Sequence, residues 1–421
     1  MRVLIISHMY PNKVKPLSGI FVQKQAEALA RQGVALSVIA PVAYAPVFLA
    51  RSRKWGGYRQ LARQEEQAGF TVWHPRVLEL PRNLLFEQAP FFYLAAIEPP
   101  ARAEAARGID LIHAHVAHPD GAVAVKLGQR LGVPVVVTIH GQDFAYTLQR
   151  SKACAHSVRQ TLRQADAVIL VSDKLRSQYG LAGWGGDLSK YRVIYNGVNL
   201  ADVYPAATPA GPAPLAPDSG AAPAAGPKER VILSVGFLRP PKGHAVVLQA
   251  LAKLVQEFPG LKYRIVGEGS ERATLEQLTR TLGLTAHVQF LGSMPHAAAM
   301  REMSRCEIFV LPSWNEAFGV VYLEAMAHAK PVIGTEGEGI AEILTRSDVG
   351  VAVPPRDPAA VAAALRRLLQ DPAAAQAKGR RGYELVQGQF TWDCNAARTL
   401  EIYREVLDNR KGAQRGTSFG S

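Results

Sequence analysis

Two glutamates, Glu316 and Glu324, bracket a Phe318-Gly319 pair in the stretch "NEAFGVVYLEAMA", residues 315–327. A strand-like "EIFVLPSW" precedes it, and Val320 opens a helix-forming run. The unpaired backbone N–H groups of such a helix start can hold an anion. The helix dipole contributes only ~0.3–1 kcal/mol, or ~2 when partly buried. A lysine about 4 Å from a phosphate gives roughly 4 kcal/mol at an effective dielectric near 20. A basic loop, "SVGFLRPPKGH", supplies Arg239 and Lys242 after another strand. With a diphosphate bound, Lys242 would therefore outweigh the helix end at Phe318, Gly319 and Val320, which mainly sets position. Glu324 would be repelled by the diphosphate and should face hydroxyls. Ribose suits it, with two vicinal donors for one two-oxygen acceptor. Glu316 could do the same for a sugar. Spacing alone leaves both glutamates equally open to being surface carboxylates.

Other residues are less specific. "IVGEGSERATL" holds Gly267 and Gly269, but Arg272 occupies the place where a dinucleotide fingerprint needs a small residue; the glycines either let the backbone turn into the helix or let a donor nucleotide approach closely at Gly267. "TIHGQD" puts Thr138, His140, Gly141 and Asp143 after an apolar strand, where a histidine can bond a hydroxyl or phosphate or simply pack in a loop. His113 and His115 share one face of a strand, and we read them, with His118, as structural. Gly19 stands between the first strand and a helix start, where a backbone can approach a ligand. No Asp-x-Asp occurs in the chain. Lysine and backbone N–H groups would then hold a diphosphate with no metal and no cofactor.

Short Val- and Ile-rich runs alternate with helical stretches from the first residues: "VLIIS", "ALSVIAPV", "DLIHAH", "PVVVTIHG", "ADAVILVSD". This is the pattern of a parallel sheet covered on both faces. It breaks at 205–227, an Ala/Pro/Gly stretch expected to be a disordered linker or loop. It resumes with "RVILSVG", "KYRIVGEG", "VQFLG" and "PVIGT". We expect an α/β chain of two Rossmann-like domains, 1–204 and 228–388. A helix over 389–408 could return to the first domain, and 409–421 would be a disordered tail.

Composition narrows the function. Three separated cysteines form no metal pair or disulfide framework. No signal peptide or spanning segment is evident, so a cytoplasmic location is expected. The net charge of +13 fits phosphorylated ligands or an anionic membrane surface. Nucleic acid is disfavoured because no zinc finger, RNP motif or basic repeat accompanies that charge. "LARSRKWGGYRQLARQ" (49–64) and "LLFEQAPFFYLAAI" (84–97) are either ordinary helix and core, or a surface that meets anionic lipid or a lipid-linked acceptor.

Taken together, "SGIF", "HGQD", "IYNGV", "SVG…KGH", "VGEG" and "NEAFGVVYLEAMA" resemble glycosyltransferase family 4 in order and spacing over nearly the whole chain. The opening "YPNKVKPLSGIFVQKQAEAL" is similar to bacterial cell-surface polysaccharide members such as teichuronic acid glycosyltransferases. The resemblance implies a GT-B fold, with two Rossmann-like domains facing across a cleft. It also implies a retaining, hexosyltransferase-like, metal-independent enzyme using a nucleoside-diphosphate sugar. The acceptor would be a glycan, a lipid-linked glycan or a small molecule. Lys242 matches the diphosphate lysine, Glu324 the ribose carboxylate and Glu316 the carboxylate near the donor sugar. Phe318, Gly319 and Val320 match the phosphate-capping backbone, Gly19 the glycine loop and His140 the histidine near the transferred sugar. Phe237 departs from the arginine of many members, so either Arg239 substitutes for it or Lys242 acts alone. Two other readings remain open: a GT-B sugar-nucleotide epimerase or other Rossmann enzyme, and a non-catalytic partner that binds nucleotide sugar or lipid.

Overall fold

The structure is a computed structural model that describes residues 1–44, 53–79, 84–181, 187–203 and 229–417. The linker expected at 205–227 lies outside them. The described chain forms two compact units, Met1–Asn196 with Trp392–Ser421, and Gly197–Thr391.

The first unit carries an eight-stranded sheet. Its order is Tyr191–Val193, Ala167–Leu170, Val135–Ile139, Leu111–His115, Arg2–Ile6, Ala35–Ile39, Phe70–Trp73, Gln64–Gln67. Every pairing is parallel except the last, which is antiparallel. "LIHAH", "VVVTI" and "AVIL" are buried along their whole length, as strands covered on both faces must be.

The second unit carries a six-stranded, wholly parallel sheet. Its order is Val288–Gly292, Leu261–Val266, Arg230–Val235, Ile308–Val310, Val332–Thr335, Gly350–Val353.

Each sheet reverses its winding order beside its first strand. In such sheets the loops after the two strands at the reversal splay apart and leave room for a ligand. In the second unit those loops follow Arg230–Val235 and Ile308–Val310, so they carry Lys242 and Glu316. In the first they follow Arg2–Ile6 and Leu111–His115, and carry His8 and Asp120.

The closing helix, Trp392–Thr417, belongs to the first unit. Trp392, Ala396, Leu400, Tyr403 and Val406 enter one core with Val22, Ala26 and Leu29 of helix Ile20–Arg31. The Gln25 amide also donates to Asn395 Oδ1 at 2.7 Å. The expected tail from 409 is corrected in part, since the helix runs on to Thr417. The segment lacks proline, and a helix already nucleated by packing carries through it in spite of Gly412 and Gly416.

Candidate active site

In the second unit, the chain leaves strand Arg230–Val235 and tightens into a turn at Pro240–Lys242. Gly243 follows at φ 76°, and a Cβ there would lie 2.3 Å from the Pro312 carbonyl oxygen. Only glycine lets the lysine loop seat this closely against the loop after Ile308–Val310. The Trp314 N–H donates to the Pro241 carbonyl at 2.8 Å and locks the two loops. The Lys242 ammonium and the Glu316 carboxylate meet there as an ion pair. Their side chains are 26% and 21% exposed, so solvent screens the pair only in part.

Glu338 holds the glutamate loop from behind. Its carboxylate accepts the backbone N–H of Asn315 at 3.1 Å and of Glu316 at 2.7 Å. Gly319 then caps helix Val320–Ala327 at φ 84°. A Cβ at Gly319 would lie 2.6 Å from the Tyr322 ring. That ring is fully buried and its hydroxyl donates to the Leu311 carbonyl, with Ser313 Oγ 2.9 Å away. The helix start is thus set by a buried tyrosine as well as by glycine. Inside the helix, Glu324 accepts from His296 Nε2 at 2.8 Å.

Gly267, at φ 141°, touches the strand end that feeds the lysine loop: a Cβ there would lie 2.0 Å from the Gly236 carbonyl oxygen. Its glycine serves backbone packing in this structure. Arg239 is exposed, with its guanidinium 5.3 Å from the Phe237 ring centroid.

Gly19 and His140 belong to the first unit. Gly19 caps helix Ile20–Arg31 at φ 56°, and a Cβ there would sit 2.2 Å from the Met9 carbonyl oxygen. Two residues on, the Phe21 ring centroid lies 4.3 Å from that of His140. A buried polar chain supports His140. Its Nε2 is 3.0 Å from His115 Nδ1. The His115 ring stacks on His113 at 4.5 Å. His113 in turn bonds the Tyr403 hydroxyl of the closing helix at 2.5 Å and the Thr138 hydroxyl at 2.7 Å. Burial pushes His140 and His113 down to about 3 and His115 well below its ordinary value, so all three are neutral near pH 7. His140 Nδ1 is buried without a hydrogen-bond partner, an atom left for a ligand to meet. Asp143 accepts the Ala117 N–H at 2.6 Å, and burial pushes its carboxyl up to about 6.

Sequence reading missed Glu338, His296, Tyr322 and the support of His140 by His115. The glycine-flanked acidic loop "EGEGI" was the available signal for Glu338. The others are non-local contacts with no spacing signature. Among the described residues, no group of three or more His, Cys, Asp or Glu side chains could hold a metal ion.

Two parallel α/β units, one of which brings lysine, carboxylate and a glycine-capped helix start to its switch point, define a GT-B glycosyltransferase that uses a nucleotide sugar. Comparison with known proteins agrees. The profile of group 1 glycosyl transferases matches residues 219–385, and that of the glycosyl transferase 4-like domain matches 18–197. A glycogen synthase of Mycobacterium tuberculosis is 32% identical over 302 residues, covering 70% of this chain and 68% of its own. A putative teichuronic acid biosynthesis glycosyltransferase of Bacillus subtilis is 26% identical over 412 residues, covering 96% and 99%. The solved sucrose-phosphate synthase of Thermosynechococcus elongatus superposes with a TM-score of 0.76 at 25% identity, over 97% and 99% of the two chains. The chain belongs to the group 1 glycosyltransferases.

Proposed function

We propose that this protein transfers a sugar with retention of configuration to a glycan, lipid-linked or small-molecule acceptor in bacterial polysaccharide or glycoconjugate synthesis. The observation that carries the residue assignment is the Lys242–Glu316 pair at the switch point of the second unit. The donor diphosphate replaces Glu316 as the partner of Lys242. Backbone N–H groups at Phe318, Gly319 and Val320 complete the anion site. Glu316, released, accepts from sugar hydroxyls, while Glu324 holds ribose. The motif match assigns Gly19 to the diphosphate and His140 to the transferred sugar; the orphaned Nδ1 of His140 supports the latter.

In a same-face displacement, the bond from the anomeric carbon to the diphosphate oxygen breaks and the bond to the acceptor oxygen forms. The acceptor proton passes to the leaving phosphate oxygen. The protein supplies position and fixed charge. The epimerase and non-catalytic readings are not favoured by the family membership. We further propose that no metal or cofactor takes part, and that the protein works in the cytoplasm, touching the anionic inner face of the membrane. The net charge of +13 and the exposed Leu84, Leu85 and Phe91 support that contact. No helix among the described residues is long and apolar enough to cross a membrane.

Thermal-shift measurements with UDP-, GDP- and ADP-sugars test the donor site. One nucleotide class should raise Tm, and EDTA should leave the shift unchanged. A flat panel would overturn the assignment, and an EDTA-sensitive shift would overturn metal independence.

A further inference from the structure

A cavity of about 640 Å³ opens in the first unit beyond the carboxyl end of strand Arg2–Ile6, and no residue assigned above to the donor lines it. That volume lies within the range of small-ligand sites. Its lining is of two kinds.

The first kind is basic: Lys15, Arg150 and His8. His8 Nδ1 lies 2.8 Å from Asp120 Oδ2, which also accepts the His8 backbone N–H at 3.0 Å. Burial lowers the imidazole's pKa, but the charge and hydrogen bond of the fully buried Asp120 carboxylate, together with the charge of Glu79, outweigh it and raise the value. The other Asp120 oxygen is buried with no hydrogen-bond partner. Glu79 is the lining carboxylate, and it already accepts the Tyr93 hydroxyl at 2.8 Å.

The second kind is apolar. Leu78, Leu84, Leu85 and Tyr146 line the cavity, each about half exposed or more. Phe91, at the start of the adjoining helix Ala89–Ala105, is 71% exposed. Large apolar side chains gathered this way are uncommon on a surface that meets only water. A polar sugar can use Tyr146 but has little use for three exposed leucines, and a plain hydrocarbon has no use for two permanent cations.

We propose that this cavity seats the acceptor, and that the acceptor is an anionic amphiphile: a phosphate beside a hydrocarbon chain. Resting on the transferase reading, this narrows its acceptor class to a phosphate-linked lipid. Lys15, Arg150 and His8 take the phosphate, while Leu78, Leu84 and Leu85 take the first carbons of the chain. The rest of the chain leaves past Phe91 to the surface.

The test is calorimetry on the full chain with farnesyl phosphate, farnesol and glucose 1-phosphate. Farnesyl phosphate should bind about a hundredfold tighter than either of the others. Arg150→Gln and, separately, Leu85→Ser should each weaken it about tenfold while nucleotide-sugar binding stays unchanged. Lys15→Gln replaces Arg150→Gln if that variant does not fold. Equal binding of farnesol would overturn the anion site, and equal binding of glucose 1-phosphate would overturn the lipid. In the unsubstituted protein, farnesyl phosphate binding without any nucleotide-sugar binding counts against the transferase reading. Nucleotide-sugar binding without farnesyl phosphate binding, or variants that bind farnesyl phosphate as tightly as the parent, overturns the cavity assignment alone.

Discussion

Glu316→Gln separates the two jobs of the paired glutamate. In the free protein its carboxylate is in contact with Lys242, with both side chains about three-quarters buried. At roughly 3 Å and an effective dielectric near 20, the gross attraction is about 5 kcal/mol. Desolvation and partial exposure reduce the net to about 1–2 kcal/mol. A nucleoside diphosphate without sugar must overcome that attraction and recovers nothing from Glu316. Removing the charge should therefore tighten binding of the nucleoside diphosphate about tenfold. The same variant should lower transfer kcat by at least about tenfold, because the donor sugar loses an acceptor for its hydroxyls. Titration calorimetry with the nucleoside diphosphate and steady-state transfer assays read the two effects separately. Weaker diphosphate binding in Glu316→Gln, comparable to that of a Lys242 variant, would refute the competition argument.

Lys242→Ala should cut transfer about a hundredfold or more while unfolding free energy, measured by urea melts, falls by no more than the lost ion pair's about 1–2 kcal/mol; a near-normal rate rejects Lys242 as the diphosphate cation. Gly19→Ala puts a methyl 2.2 Å from the Met9 carbonyl oxygen at φ 56°, so it should lower unfolding free energy by about 1–3 kcal/mol, measured by urea melts. Acid should destabilise the first unit. His113 and His140, near 3, and His115, lower than its ordinary 6.5, stay neutral when folded and take up protons when unfolded. Their contribution is complete above about pH 6.5 and is lost as pH falls toward 3, at about 1.4 kcal/mol per unit for each. Asp143 runs the other way: the folded form keeps its proton up to about pH 6, so between 3.8 and 6 its contribution falls as pH rises and offsets one histidine. Urea midpoints should drop steadily from pH 7 to 4, and a flat profile would show that the three rings are not held neutral by burial.

Much of the architecture was legible because its signals are local. Continuous apolar runs such as "VVVTI" mark strands covered on both faces, and glycines at 19, 243 and 319 mark places where the backbone must turn or approach closely. Charge type at strand ends singled out Lys242 and Glu316, which the structure brings into contact. The tail was misread because its local polarity hid a helix nucleated elsewhere, by packing of Trp392, Leu400 and Tyr403 on a helix that begins at Ile20.

What the chain could not show by itself is which loops meet. Strand Arg230–Val235 lies between Leu261–Val266 and Ile308–Val310, and that order alone brings Lys242 against Glu316. The same holds for His8 on Asp120, and for Tyr403 beneath His113 and, through it, the rings that support His140. Residue type and local spacing decide helix, strand and the chemistry available. Partnership between distant side chains depends on strand order, which is settled only when the sheet buries its faces and the loops beyond it have nowhere else to go.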